Sequence, residues 1–294
     1  AGLNIYDRSG SCYVVFGKDS GFGATLDLTT LNGTNGFRLD ESNEANYLGL
    51  SVSNAGDVNG DGFDDLIVGV PFGNRDGESV GSSYVLFGKS SGFGATLDLA
   101  SLNGTDGFRL YGSWVLSLST AGDVNGDGFD DLILGAPFVS SNGVHDAGAG
   151  YVVFGRASGF DKSLDVSKLN GGNGFRLNGL AEDDATGYSV SGAGDINGDG
   201  FDDVIVGASR ADPNGDFSGS SYVVFGKSSG FGATLDLASL NGSNGFRLDG
   251  VSAQDDSGWS VSNAGDVNGD GFDDVIDGAR GASVSYVVFG KDSG

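Results

Sequence analysis

Residues 57–65 read DVNGDGFDD; the same nine residues return at 123–131 and 266–274, and with Ile for Val at 195–203. The copies begin at Asp57, Asp123, Asp195 and Asp266, in steps of 66, 72 and 71 residues. Recurrence at a near-constant interval marks a duplicated supersecondary unit. Residues 88–110 and 226–248 say the same, because they differ only at Thr105/Ser243 and Asp106/Asn244.

Around the first copy, turn signals separate short apolar runs that read as strands. LSVSNAGD (50–57) alternates and is the first strand of the unit. DLIVGV (65–70) is a continuous apolar run, as expected of a second strand covered on both faces. SYVLFGK (83–89) is a third strand and GFRLYG (107–112) a fourth. No segment keeps a helical period for three turns, and LDLASL (97–102) makes one turn at most. Four antiparallel strands in a unit of this length cannot bury both faces alone, and radial stacking of units solves that problem. The expectation is an all-β chain, with 1–294 forming one β-propeller domain of four-stranded antiparallel blades. A solenoid is the rival.

The third strand occurs five times and the others four. The chain therefore starts with third and fourth strands, continues through three complete units, and ends with first, second and third strands. If the ring closes, residues 37–39 complete the last blade and leave one surplus third strand. Otherwise the chain is an arc of a larger ring. The surplus strand predicts self-association end to end.

Composition narrows the function. The chain has 15 Lys+Arg against 40 Asp+Glu, a net charge of −25, which disfavours nucleic acid and anionic membrane surfaces. Apolar residues make up 38% and include 20 Phe, enough for a packed core. The 56 Gly with three Pro fit many tight turns. One cysteine, Cys12, excludes an intramolecular disulfide framework. No apolar run is long enough to span a membrane. The chain starts with Ala and shows no signal-peptide pattern, which fits a processed protein or a fragment.

Within DVNGDGFDD, side-chain oxygens fall at positions 1, 3, 5 and 9; Gly at position 6 allows a sharp bend, and the position 7 carbonyl can turn inward. The candidate ligands are Asp57, Asn59, Asp61, Phe63 and Asp65; Asp123, Asn125, Asp127, Phe129 and Asp131; Asp195, Asn197, Asp199, Phe201 and Asp203; and Asp266, Asn268, Asp270, Phe272 and Asp274. An all-oxygen set suits Ca²⁺, about one ion per repeat and four in all. An EF-hand is excluded: position 12 is Val68, Leu134 or Val206 in three copies, and the flanks are strands. Asp, Asn and Gly also make good turns without metal. Turn formation alone does not explain four aspartates in nine residues, where each like-charge pair costs about 1 kcal/mol at 4 Å in water. Four Ca²⁺ would bring the net charge from −25 to −25 + 8 = −17. Affinity of about 10⁻⁴–10⁻³ M, typical of extracellular modules, would place the protein in a secreted or cell-surface, extracellular setting.

The run A-G-D-x-N-G-D-G-F-D-D-[LV]-I-x-G-[AV]-P resembles the FG-GAP repeat of integrin α-subunit propellers and their bacterial relatives. The terminal Gly-Ala-Pro varies to GVP at 69–71, GAS at 207–209 and GAR at 278–280, and the Gly of Phe-Gly is Val115 in the second repeat. The resemblance implies hairpin calcium sites between first and second strands, with ligand binding on the opposite face, and a ring that usually has seven blades. Here that face carries the connections from fourth to first strands and those between second and third strands, the latter at 71–81, 137–150, 209–219 and 279–283.

Enzymatic chemistry lacks parts. His145, the sole histidine, sits in a Gly/Ser/Asp-rich loop and reads as solvated; Cys12 reads as an inert thiol in a strand. GFGATL lacks the Lys-Ser/Thr of a phosphate loop. Trp114 and Trp259 read as packing residues ahead of sugar platforms, and Asn32, Asn103 and Asn241 as Asn-Gly turns as readily as glycosylation sequons. Asp277 stands where other copies have Val68, Leu134 and Val206; pairing with Arg280, or an irregular or exposed blade face, would accommodate it. The reading is a non-enzymatic adhesion or recognition module for protein or matrix partners. A glycan-binding lectin and an architectural repeat of a larger surface assembly are the alternatives.

Overall fold

Each apolar run between turn signals forms a strand in the computed structural model, which describes residues 10–41, 47–72, 81–157 and 159–292 and the backbone of 74–75 and 78–79. In the first complete unit, Val52–Gly56, Asp65–Val70, Ser82–Leu86 and Gly107–Tyr111 pair antiparallel in that order. The second unit repeats this with Ser117–Gly122, Asp131–Ala136, Ala149–Val153 and Gly174–Asn178. The third does so with Ser189–Gly194, Asp203–Ala208, Ser220–Val224 and Gly245–Asp249. The first described strands, Cys12–Val15 and Gly36–Asp40, pair with each other, and the last three, Ser260–Gly265, Asp274–Ala279 and Val284–Val288, form a sheet. The order is the one expected from the strand inventory.

The Gly-rich connection holds an addition. Thr96–Asp98, Ser163–Asp165 and Thr234–Asp236 each lie parallel to the fourth strand of the preceding unit, so units are also stitched by backbone hydrogen bonds. A single 3-10 turn follows each, as LDLASL promised; at Leu99–Ser101 the Asp98 carboxylate caps it by accepting from the Ala100 N–H at 2.9 Å.

First strands of successive units lie side by side, and the core forms in the layers between units. Ile67, Val85 and Phe108 of the first complete unit meet Leu118, Leu134 and Tyr151 of the second. Ile133, Val152 and Phe175 on the other side of the second unit meet Val190, Val206 and Tyr222 of the third. The second strand is thus covered on both faces, which is why it is continuously apolar. Each such fully buried side chain contributes about 1.5–3 kcal/mol.

Two expectations are corrected here. Residues 37–39 do not complete the last blade: Phe37, Arg38 and Leu39 pair with Val14, Tyr13 and Cys12, their neighbours in sequence. Among the described residues Val284–Val288 has no fourth strand beside it, so the described strands do not close into a ring through residues 37–39. Asp277 does not pair with Arg280. Its buried carboxylate accepts from Ser257 Oγ and Gly258 N–H at 2.7 Å each and from Ser221 Oγ at 3.1 Å. Three donors replace the hydration lost on burial, so the strand stays regular. Arg280 instead lies over the Trp259 ring, 4.0 Å from its centroid.

Candidate metal loops and the opposite loop face

Each acidic string is the hairpin between first and second strands. A β-bulge ends every first strand, between Asn54 and Gly56, Thr120 and Gly122, Gly192 and Gly194, and Asn263 and Gly265. The bulge kinks the strand and aims position 1 into the loop. In the first loop, the Asp61 N–H is shared between Asp57 Oδ1 at 3.0 Å and Asn59 Oδ1 at 2.9 Å. Asp57 Oδ2 accepts from Gly62 N–H at 2.8 Å, and Asp61 Oδ1 from Phe63 N–H at 3.0 Å. The same bonds recur at Asp123, Asn125 and Asp127, at Asp195, Asn197 and Asp199, and at Asp266, Asn268 and Asp270. Oxygens of positions 1 and 3 are therefore brought together around one nitrogen in all four copies.

Position 9 closes the loop from beneath. Asp65, Asp131, Asp203 and Asp274 are fully buried at the start of the second strand. Asp65 Oδ2 accepts from Val58 N–H at 3.0 Å and Oδ1 from Gly88 N–H at 2.8 Å, leaving half of a carboxylate's four lone-pair sites unused. Burial, reinforced by the negative charges of Asp61 and Asp57, pushes its pKa up to about 7. Burial does the same at Asp131 and Asp203, both pushed up to about 8, with the loop aspartates at positions 5 and 1 again adding. A buried carboxylate facing two more acids fits a hard divalent cation, which would hold all of them ionised.

Position 8 has a different role, which the sequence pattern does not reveal. Asp130 Oδ2 accepts from the backbone N–H of Asp57 in the preceding loop at 2.7 Å. Asp202 does this to Asp123 at 2.8 Å and Asp273 to Asp195 at 3.0 Å. Two backbone bonds accompany each latch: Asp130 N–H donates to Asp57 O at 3.3 Å and Arg156 N–H to Val58 O at 2.9 Å. Phe at position 7, whose carbonyl is a candidate ligand, covers the preceding loop with its ring in the second, third and fourth copies. A Cβ on Gly126, already at φ 71°, would stand 2.3 Å from the Phe201 ring. Position 4 must be glycine for that approach. The only signal available beforehand was that position 8 is Asp in every copy yet falls outside the ligand pattern.

The other ends of the strands carry the unit-to-unit variation. The connection expected at 71–81 lies partly outside the described residues, which give the pairing of Asn74–Arg75 with Glu78–Ser79. On this face, Phe72 meets Trp114 edge-on at 6.4 Å, and Tyr188 lies 4.5 Å from Trp259, which Arg280 covers. Arg210 lies over the Phe138 ring at 6.0 Å. Phe72, Trp114 and Phe138 are exposed. His145 is also exposed, with Nδ1 3.6 Å from Asp146 and Asp183 close by. Cys12 is half-buried, and burial pushes its thiol pKa up, away from reactivity. Asn32, Asn103 and Asn241 accept from the N–H two residues on, the turn geometry expected of them.

Acidic hairpins at one end of stacked antiparallel blades define a repeat of propeller type, and comparison with known proteins agrees. Residues 48–86, 115–153 and 186–224 match the FG-GAP repeat family, so the chain carries FG-GAP repeats like those of integrin propellers. Integrin alpha-V of Gallus gallus is 30% identical over 82% of this chain. Integrin alpha pat-2 of Caenorhabditis elegans is 32% identical over 83%. The chain spans about a fifth of these relatives' length, 21% and 19%. No helix among the described residues is long and apolar enough to cross a membrane.

Proposed function

We propose that this chain is a calcium-stabilised, extracellular recognition module of propeller type, with its scaffold at the acidic loops and its binding surface on the opposite face. One Ca²⁺ is assigned to each loop, held by positions 1, 3, 5, 7 and 9. The observation that carries the calcium assignment is the buried position 9 carboxylate, held beside two further acids with lone pairs to spare. Bound calcium would neutralise that cluster and fix the hairpin; it takes part in no reaction.

The binding surface is assigned to the band of Phe72, Trp114, Phe138, Tyr188 and Trp259 with Arg210 and Arg280. Aromatic and arginine side chains dominate protein recognition, since they combine apolar area with directional polar contact. These groups sit on connections that vary between units while the frame repeats, which is where binding residues concentrate. The integrin α likeness favours a protein or matrix partner. The exposed Trp114 gives the glycan-binding reading its one specific support. Binding of the calcium-loaded protein to immobilised matrix proteins, beside a glycan array, separates the two. Protein binding lost in Trp259→Ala supports the main reading, and selective glycan binding would replace it with the second.

A further inference from the structure

The face opposite the acidic loops holds two connections of the second unit side by side. Residues 137–150 join its second and third strands, and residues 179–188 lead from its fourth strand into the third unit. Three backbone hydrogen bonds hold them together: Asp183 N–H to His145 O at 3.3 Å, Ala185 N–H to Asp146 O at 3.3 Å and Thr186 N–H to Ala147 O at 3.0 Å. The first connection is pinned again nearer its start, where Arg176 Nη2 donates to Ser140 O and Ser141 Oγ at 2.8 Å each. The backbone is therefore fixed on both sides of His145.

That pairing brings three side chains to one spot. His145 is the one histidine of the chain. Its Nδ1 stands 3.6 Å from Asp146 Oδ2, and one ligand atom from each of His145, Asp146 and Asp183 lies within 4.8 Å of the other two. Among the described residues neither carboxylate forms an ion pair with a Lys or Arg. Like charges held this close repel unless a cation joins them.

The third unit supplies a comparison within the molecule. The same three bonds recur there, from Gln254 to Asp216 at 2.8 Å, Asp256 to Phe217 at 3.0 Å and Ser257 to Ser218 at 3.1 Å. The backbone is repeated but the donor set is not, because Asp216, Phe217 and Gln254 stand where the second unit has His145, Asp146 and Asp183. There the side chain of Gln254 itself spans the two connections, with Nε2 reaching Asp216 O at 3.5 Å. The ionised Asp183 has no proton to donate and cannot make that tie.

We propose that His145, Asp146 and Asp183 bind one divalent first-row transition-metal ion, with Zn²⁺ as the reference case, and that the ion ties the two connections together. One imidazole nitrogen and two carboxylate oxygens, completed by water, suit such an ion, whereas the all-oxygen loops on the other face suit Ca²⁺. Zinc bonds of about 2.0–2.2 Å place donor atoms about 3.3 Å apart, so each side chain moves inward by about 1 Å. Asp183 is exposed and the His145 side chain is 70% exposed, which leaves both free to make that movement.

With a single histidine, the imidazole proton resonances report on this site alone, whatever the acidic loops bind. Titration of Zn²⁺ into the protein in a large excess of Ca²⁺ should shift those resonances and saturate them with one Zn²⁺, while Mg²⁺ should leave them in place. Asp146 and Asp183 have φ of 44° and 64°, a backbone region that Asn also tolerates. Asp146→Asn and Asp183→Asn therefore test ligation with the loop intact, and each should weaken Zn²⁺ by about tenfold or more. Glu182→Gln, which removes a neighbouring charge outside the donor set, should leave the affinity unchanged. Resonances unmoved by Zn²⁺, an equal shift with Mg²⁺, or a loss in Glu182→Gln as large as in Asp183→Asn overturns the proposal.

Discussion

The two ends of each strand pair differ in what they hold constant. The acidic hairpins are near-identical in sequence and repeat one hydrogen-bond pattern, down to the shared Asp61, Asp127, Asp199 and Asp270 N–H groups. The opposite connections differ in length and composition and expose aromatic and arginine side chains. A hairpin that latches its neighbour and, as proposed, holds an ion is constrained at nearly every position. A connection on the other face is constrained only where it leaves and enters a strand. Under the proposed function, the contrast separates scaffold from recognition.

Removal of calcium should have the largest effect. At a calcium level one hundredfold above Kd, each site contributes about 2.7 kcal/mol, and four sites together exceed the net stability of many domains. Chelation should therefore lower Tm steeply, and a melting curve unmoved by EDTA would break the contrast at its root. Next in size is the latch. Asp202→Ala leaves the Asp123 N–H without its acceptor between two units, a loss of about 1–3 kcal/mol by chemical denaturation, with calcium stoichiometry unchanged. A drop in bound calcium in that variant would mean that position 8 ligates the ion.

Protonation tests the buried carboxylates. Asp65, Asp131 and Asp203 have folded-state pKa values of about 7–8, above the ordinary 3.8. A raised acid binds more protons folded than unfolded between those limits, so the calcium-free fold should lose stability as pH rises from about 4 to 8. Melting in EDTA as a function of pH checks the slope, and a rise over that window contradicts it. The smallest effect belongs to the other face. Phe138→Ala, at an exposed connection, should shift stability by no more than about 0.5 kcal/mol while weakening partner binding. A large loss of stability there would make that face scaffold as well.

Much of this was legible in the sequence because the signals are local. Alternation at 50–57, the apolar run at 65–70 and the Asn-Gly turns each report on a few adjacent residues, and the strands lie where they point. The role of Asp130 was not legible, since its partner Asp57 lies in another repeat and periodicity does not say which neighbour a side chain reaches. The parallel strand at Thr96–Asp98 was hidden for the same reason: it pairs across units. Asp277 misled because a lone carboxylate in an apolar strand suggests a charged partner, whereas Ser221, Ser257 and the Gly258 N–H satisfy it together. Closure through residues 37–39 failed because Cys12–Val15 already holds that strand.

Calorimetric titration of calcium into metal-stripped protein tests the assignment of the loops most directly. Four ions per chain should bind, and Asp127→Ala, which removes a position 5 carboxylate from the second loop alone, should reduce the count to three. No binding, or four ions still bound after that substitution, would contradict the account.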